Sequence, residues 1–427
     1  MRGLNNIRRF MSERMRFLEE LRREHGRLAQ FSVGKQKFHL VCQPERVREI
    51  LVTYDSHFTK GRGLKNAKRV LGEGLLTSEG DFHKKQRRLM QPVFNRQKVL
   101  QFAPTMIESA LHYQQRWADG VKLDLAREMT QLTLIVVGKT LFDTDVEQDF
   151  AEVEPVVTDL RALFEKALNP YYAMLERFTP GQRMRVENTN RKLDRIVYRL
   201  IEDHRANPRN DLLSMLIEAL EVGTSDRIIR DEVLTLYLAG HETTAYALTW
   251  TLWIMSFHPR QRERLFAEVR DHQPGPASYG QLTYTEAAVL ETLRLYPPAW
   301  IFGRTCVQDV QLEGLDLRAG DLIILSPFLL QRDPEYFTDP LSYRPERWLE
   351  TPRSSLPKYC YFPFGAGSRV CIGEHFALLE AVLVLAVLFK NWDFEPIFGN
   401  LVKLDGGITL RPSPGAYAKL LRRKGVE

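Results

Sequence analysis

Residues 364–373 read Phe-Gly-Ala-Gly-Ser-Arg-Val-Cys-Ile-Gly, and a long apolar segment follows from about Glu374 to Phe389. This order predicts a glycine-bent loop that delivers Cys371 to the N-terminus of a buried helix. Orphan backbone N–H groups and the positive end of the helix dipole favour a thiolate at such a position. Glycine also lets the backbone approach a large flat group closely.

The stretch meets the pattern Phe-x-x-Gly-x-Arg-x-Cys-x-Gly at every fixed position, with Phe364, Gly367, Arg369, Cys371 and Gly373. It resembles the haem-binding loop of the cytochrome P-450 monooxygenases. The resemblance implies that Cys371 is the metal ligand of haem b and that Phe364, Arg369 and Gly373 contact the cofactor. A thiolate ligand pushes electron density onto iron and favours O–O cleavage. The alternative for a cysteine taken alone is packing as a small hydrophobe.

The composition is that of an ordinary globular protein. The chain has 427 residues, of which 44% are hydrophobic and 27% charged. Length alone suggests two or three domains, but no linker, low-complexity tract or repeat is visible. The resemblance implies one haem domain over residues 1–427. Its fold is expected to be mainly α with a small β part, with a long central distal helix over the haem and short mixed sheets on one side.

The four cysteines are Cys42, Cys306, Cys360 and Cys371, and none forms a C-x-x-C pair. A zinc site or a redox dithiol is therefore not indicated. Cys360 lies close to Cys371 in sequence, but it lacks the glycine-rich loop, and we interpret it as structural.

The formal net charge of +6 is not accompanied by a nucleic-acid recognition motif. We expect instead a basic face that docks an acidic electron-transfer protein, with Lys84, Lys85 and Arg88 as candidates. The sequence has no dinucleotide fingerprint and no iron–sulfur cysteine pattern. Electrons are therefore expected from a separate ferredoxin or flavoprotein.

Residues 1–23 predict an amphipathic helix. A mitochondrial transit peptide has this form but is poor in acids, whereas Glu13, Glu19 and Glu20 are present. A surface helix is preferred, and a membrane-surface helix remains an alternative. No segment reaches the roughly 18 to 20 apolar residues of a transmembrane anchor. We expect a cytoplasmic, bacterial, monomeric protein, with peripheral membrane contact as an option.

His83 and Arg87 are four residues apart and share a face of a predicted helix. An exposed basic helix face would show the same spacing. By resemblance, this helix offers both side chains to the haem propionates. Arg304, in an extended segment that passes beside the haem, would bind a propionate too, bidentately if geometry allows.

A second motif lies within a predicted helix from about Asp226 to Phe257, where residues 238–244 read Leu-Ala-Gly-His-Glu-Thr-Thr. Polar groups in a buried helix conflict with local rules and often mark function. A threonine that bonds the preceding turn is the structural alternative. The motif resembles the oxygen-activation sequence of the family. The implied roles are room for O₂ at Ala239 and Gly240, a hydrogen bond to O₂ from Thr243, and proton relay by Glu242.

Glu291 and Arg294 lie three residues apart on a helix predicted from Thr285 to Leu295. A surface ion pair at this spacing would contribute little to stability. By resemblance, the pair locks onto Arg347, which precedes Trp348 where the family usually has Phe. All three charged residues are therefore assigned to the scaffold of the haem loop rather than to catalysis.

The substrate pocket is expected to be apolar, below a mobile lid at about residues 153–195. The candidate lining residues are Leu238, Ala299, Trp300, Ile301, Phe302 and Ile408. Residues 58–74 are glycine-rich and predict a loop. Short strands over Val310–Leu312 and Leu322–Leu325 are expected to continue one small sheet.

Together these motifs predict a haem-thiolate monooxygenase that inserts one oxygen atom of O₂ into a lipophilic substrate by hydroxylation or epoxidation. The chain most resembles bacterial members that act on fatty acids, terpenes or carotenoids. One alternative is a peroxide-driven hydroxylase, which the intact Glu242–Thr243 pair argues against. Another is a non-catalytic haem gas sensor or carrier.

Overall fold

The computed structural model describes residues 6, 9–10, 12–142, 159, 162–163, 166, 180–220, 225–397, 399 and 401–423. The longer helices are α1 (Arg14–His25), α2 (Pro44–Arg48), α3 (Arg62–Leu71), α4 (Gly80–Met90), α5 (Arg96–Leu100), α6 (Ala103–Tyr113), α7 (Leu125–Phe142), α8 (Pro180–Ala206), α9 (Leu212–Leu220), α10 (Asp226–Ser256), α11 (Pro259–Asp271), α12 (Thr283–Leu295), α13 (Pro327–Leu330), α14 (Arg347–Glu350) and α15 (Glu374–Asn391). The strands are β1 (Leu28–Val33), β2 (Gln36–Val41), β3 (Phe58–Lys60), β4 (Lys122–Asp124), β5 (Phe302–Cys306), β6 (Val310–Leu312), β7 (Leu315–Leu317), β8 (Leu322–Leu325), β9 (Trp392–Pro396), β10 (Lys403–Gly406), β11 (Leu410–Ser413) and β12 (Tyr417–Arg422).

Helices α10 and α15 form the centre of the fold. Helix α10 packs against α7, α8, α12 and α15. Helix α15 is apolar on nearly all sides and is buried almost throughout from Phe376 to Phe389. A helix that is hydrophobic all round belongs in the core of a large protein. The predicted class, mainly α with a small β part, is confirmed.

The largest sheet has five strands in the order β1-β2-β8-β5-β3 and is mixed, because β2 and β8 run parallel while its other pairs are antiparallel. Its edge pair places Arg304 on β5 opposite Lys60 on β3. We expected Val310–Leu312 to continue this sheet, but that strand pairs with β7 in a separate hairpin. Gly314, with φ of 72°, closes the tight turn between the two strands and accounts for the difference.

The predicted loop over residues 58–74 is wrong in part, because it contains strand β3 and helix α3. Gly63 lies in the first turn of the helix, and two other glycines flank it. Gly61 precedes its first residue, and Gly72 follows its last with φ of 73°. A glycine of positive φ is a common way to end a helix.

Helix α1 contains the last part of the amphipathic segment predicted over residues 1–23 and continues to His25. Its buried stripe of Phe17, Leu18 and Leu21 packs against β1 and β2. Most of the lid predicted at 153–195 lies outside the described residues. Among the described helices, none has both the length and the apolar character needed to cross a membrane.

Candidate active site

The cysteine loop is fastened to the segment between α2 and β3. Gly367 has φ of 69°, and a Cβ placed there would lie 1.8 Å from the carbonyl oxygen of Leu51, so only glycine fits. The Ser368 hydroxyl donates to Asp55 at 2.7 Å. The N–H of Cys371 donates to the Phe364 carbonyl at 2.8 Å, which closes the loop just before α15 begins.

The Cys371 side chain combines exposed surface with close burial of its thiol by protein. The residue is exposed, and yet burial by surrounding protein raises the pKa of its thiol to about 11. We expected the helix N-terminus to favour a thiolate. The Gly373 N–H and Arg87 do lower this pKa, but burial outweighs them. A metal ion would reverse the balance, because a coordinating thiol is deprotonated outright.

Cys360, the other cysteine near this loop, is fully buried. It presents no surface to a cavity, and burial raises the pKa of its thiol to about 11 as well. This position agrees with its interpretation as a structural residue.

Helix α4 brings two of the expected propionate ligands to the cysteine loop. His83 is buried, and its Nε2 lies 3.4 Å from the Ser368 carbonyl. Arg87, one turn later, donates from Nη1 to the Val370 carbonyl at 2.7 Å. The shared helix face predicted from the spacing therefore lies against the loop that carries Cys371.

Arg369 and Arg304 extend this cluster from the loop and from β5. Arg369 donates to the Ser78 carbonyl at 2.8 Å and forms an ion pair with Glu79. Arg304 donates to the Gly303 carbonyl at 3.0 Å. All four predicted propionate ligands, two from α4 and these two arginines, thus surround the start of α4 and the cysteine loop.

The cluster contains two residues that the sequence analysis missed. Lys60 is buried on β3 and donates from Nζ to the carbonyls of Leu75 and Ser78. Glu79 accepts from the Lys60 N–H at 2.6 Å as well as from Arg369. Glu79 lies four residues before His83, at the start of the same helix, so its spacing was a usable signal. Lys60 had none.

The desolvation of several basic side chains in this cluster fits an anionic cofactor edge. Burial lowers the pKa of Lys60 to about 6 and that of Arg304 to about 10. Burial, with the nearby Arg369, lowers the pKa of His83 to about 3. Glu79 is the carboxylate that contacts this cluster directly. Two propionates placed here would offset the positive charge of the protonated side chains and raise the pKa of Lys60, Arg304 and His83 again.

Helix α10 leaves space on the other side of the site. From Ile229 to Ser256, Ala239 is the one residue with an exposed side chain, and Gly240 and Thr243 are partly exposed. Positions 239, 240 and 243 lie on one helix face. An exposed patch in the middle of a buried helix indicates an internal cavity, which fits a large flat group held between α10 and the Cys371 loop.

Glu242 and Thr243, two polar residues of the α10 motif, are placed differently. The Thr243 hydroxyl donates to the Ala239 carbonyl at 2.8 Å, which is the bond expected of a structural threonine, but the side chain remains on the accessible face. Glu242 is buried, and its Oε1 accepts from the hydroxyl of Thr409 at 2.9 Å. No sequence pattern indicated Thr409, which lies 167 residues further along the chain.

The expected structural triad is assembled and buried. Glu291 and Arg294 are both 0% exposed and form two hydrogen bonds of 2.9 Å. Arg347 donates to Glu291 at 3.0 Å, and so does the indole of Trp348. The tryptophan found in place of the usual phenylalanine thus supplies a donor that phenylalanine lacks.

The expected lining residues fall into two groups. Ala299, Ile301, Phe302 and Ile408 are partly exposed, whereas Leu238 and Trp300 are buried. Trp300 is 0% exposed and packs in an aromatic core cluster, where its indole donates to the Gly407 carbonyl at 3.2 Å. This bond holds a turn of the chain, and the ring lies against the same turn, because a Cβ built at Gly406 would lie 2.7 Å from Cζ2 of Trp300.

Comparison with known proteins agrees with these features. The chain matches the family model described as Cytochrome P450 over residues 4–418. It is 34% identical over 405 residues to cyclooctatin synthase of Streptomyces melanosporofaciens, covering 91% of this chain and 88% of that protein. Cyclooctat-9-en-7-ol 5-monooxygenase of the same species is 32% identical over 390 residues, covering 88% and 84%. Pentalenene oxygenase of Streptomyces avermitilis is 34% identical over 380 residues, covering 86% and 84%.

These matches confirm three predictions from the sequence, namely the fold, haem b as the cofactor, and a haem-thiolate monooxygenase that acts on a lipophilic substrate. They also imply that the reaction requires O₂ and a redox partner. The match covers nearly the whole chain, and the relatives exceed 30% identity over most of its length. The chain belongs to the cytochrome P450 family.

Proposed function

We propose that this protein hydroxylates a cyclic terpene, with one oxygen atom from O₂ and electrons from a separate ferredoxin or flavoprotein. The observation that carries the proposal is the set of relatives at 32–34% identity, whose names refer to cyclooctatin, cyclooctat-9-en-7-ol and pentalenene. Fatty acids and carotenoids, the other classes considered from the sequence, are not named in these three relatives.

The partly exposed apolar side chains support a rigid lipophilic substrate. Ala239 on α10, Ile301 and Phe302 around the start of β5, and Ile408 after β10 all present carbon surface. Such a substrate offers few polar groups for recognition, so its orientation depends on shape and on the burial of apolar area.

The cofactor would be held by five residues. In this proposal Cys371 ligates the iron, and the propionates accept hydrogen bonds from a set of four side chains: His83, Arg87, Arg304 and Arg369. When bound, haem supplies the activation of O₂, and its thiolate ligand favours O–O cleavage. The buried cluster supports the propionate assignment because an anion there would relieve its desolvated charge.

Proton delivery would fall to Glu242 and Thr243. The reaction consumes one O₂, two electrons and two protons for each alcohol and water formed. The Thr243 hydroxyl lies on the accessible face of α10, where rotation away from the Ala239 carbonyl would let it donate toward the cavity. Glu242 is buried beside it and carries a titratable carboxyl group that can exchange protons by changing rotamer.

The proposal is tested by the spin-state shift of the purified haem protein and by turnover with a surrogate ferredoxin and reductase. Pentalenene and a fused-ring diterpene alcohol are expected to shift the Soret band and to give hydroxylated products. A shift and product only with a long-chain fatty acid or a carotenoid would overturn the terpene assignment. Product with peroxide but not with reductase would favour the peroxide-driven alternative, and absence of product with every probe would favour the gas carrier.

The remaining predictions stay as inferences from the sequence. We infer one domain over residues 1–427, a monomer in solution, and a bacterial cytoplasmic location. Sedimentation of the purified protein tests the second, because a monomer sediments with the mass of a single chain.

A further inference from the structure

We propose that Thr409 is a positioning residue for Glu242, and that it couples the substrate-contacting turn between β10 and β11 to proton delivery. The inference rests on the proposed role of Glu242 and deepens it. It does not depend on the terpene assignment, because the coupling would serve any lipophilic substrate that presses on the turn.

The first step is the hydrogen bond itself. Thr409 and Glu242 are 6% and 5% exposed, and the hydroxyl donates to Oε1 at 2.9 Å. A hydroxyl has one proton to donate, so while Thr409 donates to Oε1 it favours the rotamer of Glu242 that keeps this oxygen within reach.

The second step is the rigidity of the chain around Thr409. The indole of Trp300 donates to the Gly407 carbonyl at 3.2 Å, and the indole of Trp250 donates to the Leu410 carbonyl at 2.9 Å. Both tryptophans are 0% exposed. The turn is thus held by a buried donor on each side of Thr409, so the position of its hydroxyl is set by the core rather than by local flexibility.

The third step is the other side of the same turn. Gly407 and Ile408 line a cavity of about 750 Å³ whose other residues are mainly charged, among them Arg14, Asp405 and Arg411. Consecutive residues therefore face different regions, with Ile408 beside this cavity and Thr409 bonded to the buried acid. Contact of a ligand with Ile408 would act on the same turn that carries the Thr409 hydroxyl, because the two residues are consecutive.

The chemical consequence concerns when Glu242 can move. An acid that relays protons must point toward its proton source and toward the acceptor in turn. Thr409 would hold the Glu242 side chain in one of these orientations in the resting protein. Contact of substrate with Ile408 would change the fraction of time that Glu242 spends in that orientation. Loss of the hydroxyl should therefore impair the timing of proton delivery while the pocket stays intact.

The test uses Thr409→Val, which keeps the side-chain shape, and Thr409→Ser, which keeps the hydroxyl. Infrared spectroscopy of the substrate-free haem protein would first assign the Glu242 carboxyl band by its loss in Glu242→Gln. Relative to the unsubstituted protein, that band should shift in Thr409→Val and keep its position in Thr409→Ser. With substrate, Thr409→Val should release about tenfold more peroxide per product and show a larger solvent isotope effect, as expected for loss of a bond to a charged group. Thr409→Ala takes its place if the valine variant does not fold.

A double-mutant cycle with Ile408→Ala tests the coupling. If contact of substrate with Ile408 acts through Thr409, Ile408→Ala changes the solvent isotope effect when Thr409 is present and has little effect on it in Thr409→Val. Additive effects would overturn the coupling, and an unshifted infrared band in Thr409→Val would overturn the positioning role. Normal coupling of electrons to product in Glu242→Gln would instead remove Glu242 from proton delivery, a failure of the proposed function that the infrared result distinguishes.

Discussion

The carboxylate of Glu291 binds the guanidinium of Arg294 through two hydrogen bonds of 2.9 Å, with both side chains fully buried. The same carboxylate accepts from Arg347, 56 residues away in sequence, and from the backbone N–H of Arg344. Arg294 also donates to the Gln331 carbonyl at 2.9 Å. One acid therefore joins α12 to the segment that leads into the Cys371 loop.

Glu291→Gln should lower the free energy of unfolding by about 3–5 kcal/mol, because it leaves buried guanidinium groups without their counter-charge. Urea unfolding followed by circular dichroism measures the change. Asp271→Asn is the matched control, since its ion pair with Arg270 is exposed and should cost less than about 1 kcal/mol. Equal losses in the two variants would contradict the assignment of Glu291 to the scaffold.

Arg304→Leu should release haem about 10 to 100-fold faster, because one charge-assisted hydrogen bond of about 1.5–3 kcal/mol to a propionate is lost. Transfer of haem to excess apomyoglobin, followed by absorbance, gives the rate. Arg318→Leu removes an exposed arginine paired with Asp309 and should leave the rate unchanged. If Arg304→Leu retains haem as the unsubstituted protein does, Arg304 does not bind a propionate.

Thr243→Ala should lower the fraction of electrons that reach product by about tenfold and release the difference as peroxide, because a donor on the accessible face of α10 is lost. Thr243→Ser keeps the hydroxyl and should recover most of the coupling. Peroxide and product are measured together per electron pair consumed. Unchanged coupling in Thr243→Ala would leave only the structural role that its bond to Ala239 already indicates.

The double substitution Lys84→Glu and Lys85→Glu should slow electron transfer from an acidic ferredoxin by about tenfold at low ionic strength, and less in high salt. Both lysines are exposed on α4, whose buried face contacts the Cys371 loop through His83. Stopped-flow reduction measures the rate. Lys35→Glu, on the β1–β2 turn, reverses an exposed charge elsewhere and serves as the control. An equal effect of the two changes would argue against docking on α4.

Features with a local signature were predictable from the sequence. The helix predicted from about Asp226 to Phe257 ends within one residue of the observed end of α10, and the spacing of Glu291 and Arg294 indicated their pair. Contacts between distant segments had no such signature. Thr409 donates to Glu242 across 167 residues of sequence, and Arg369 donates to Glu79 across 290. These bonds depend on how the chain returns on itself, which no spacing pattern records.

Two errors have identifiable physical causes. Helix α3 was missed because its flanking glycines, Gly61 and Gly72, were interpreted as loop residues although they mark its ends. Strand β6 was expected in the larger sheet because its β-forming residues were considered without the turn at Gly314, which pairs it with β7 instead. Both errors came from weighing one local effect without its competitor.

The most direct test of the central claim is the absorption spectrum of the dithionite-reduced protein with carbon monoxide, compared among the unsubstituted protein, Cys371→Ser and Cys360→Ser. If Cys371 ligates the iron, the unsubstituted protein and Cys360→Ser show the long-wavelength Soret band of a thiolate-ligated haem, and Cys371→Ser loses it. A long-wavelength band that persists in Cys371→Ser, or that is absent from the unsubstituted protein, would contradict the assignment of Cys371 as the iron ligand.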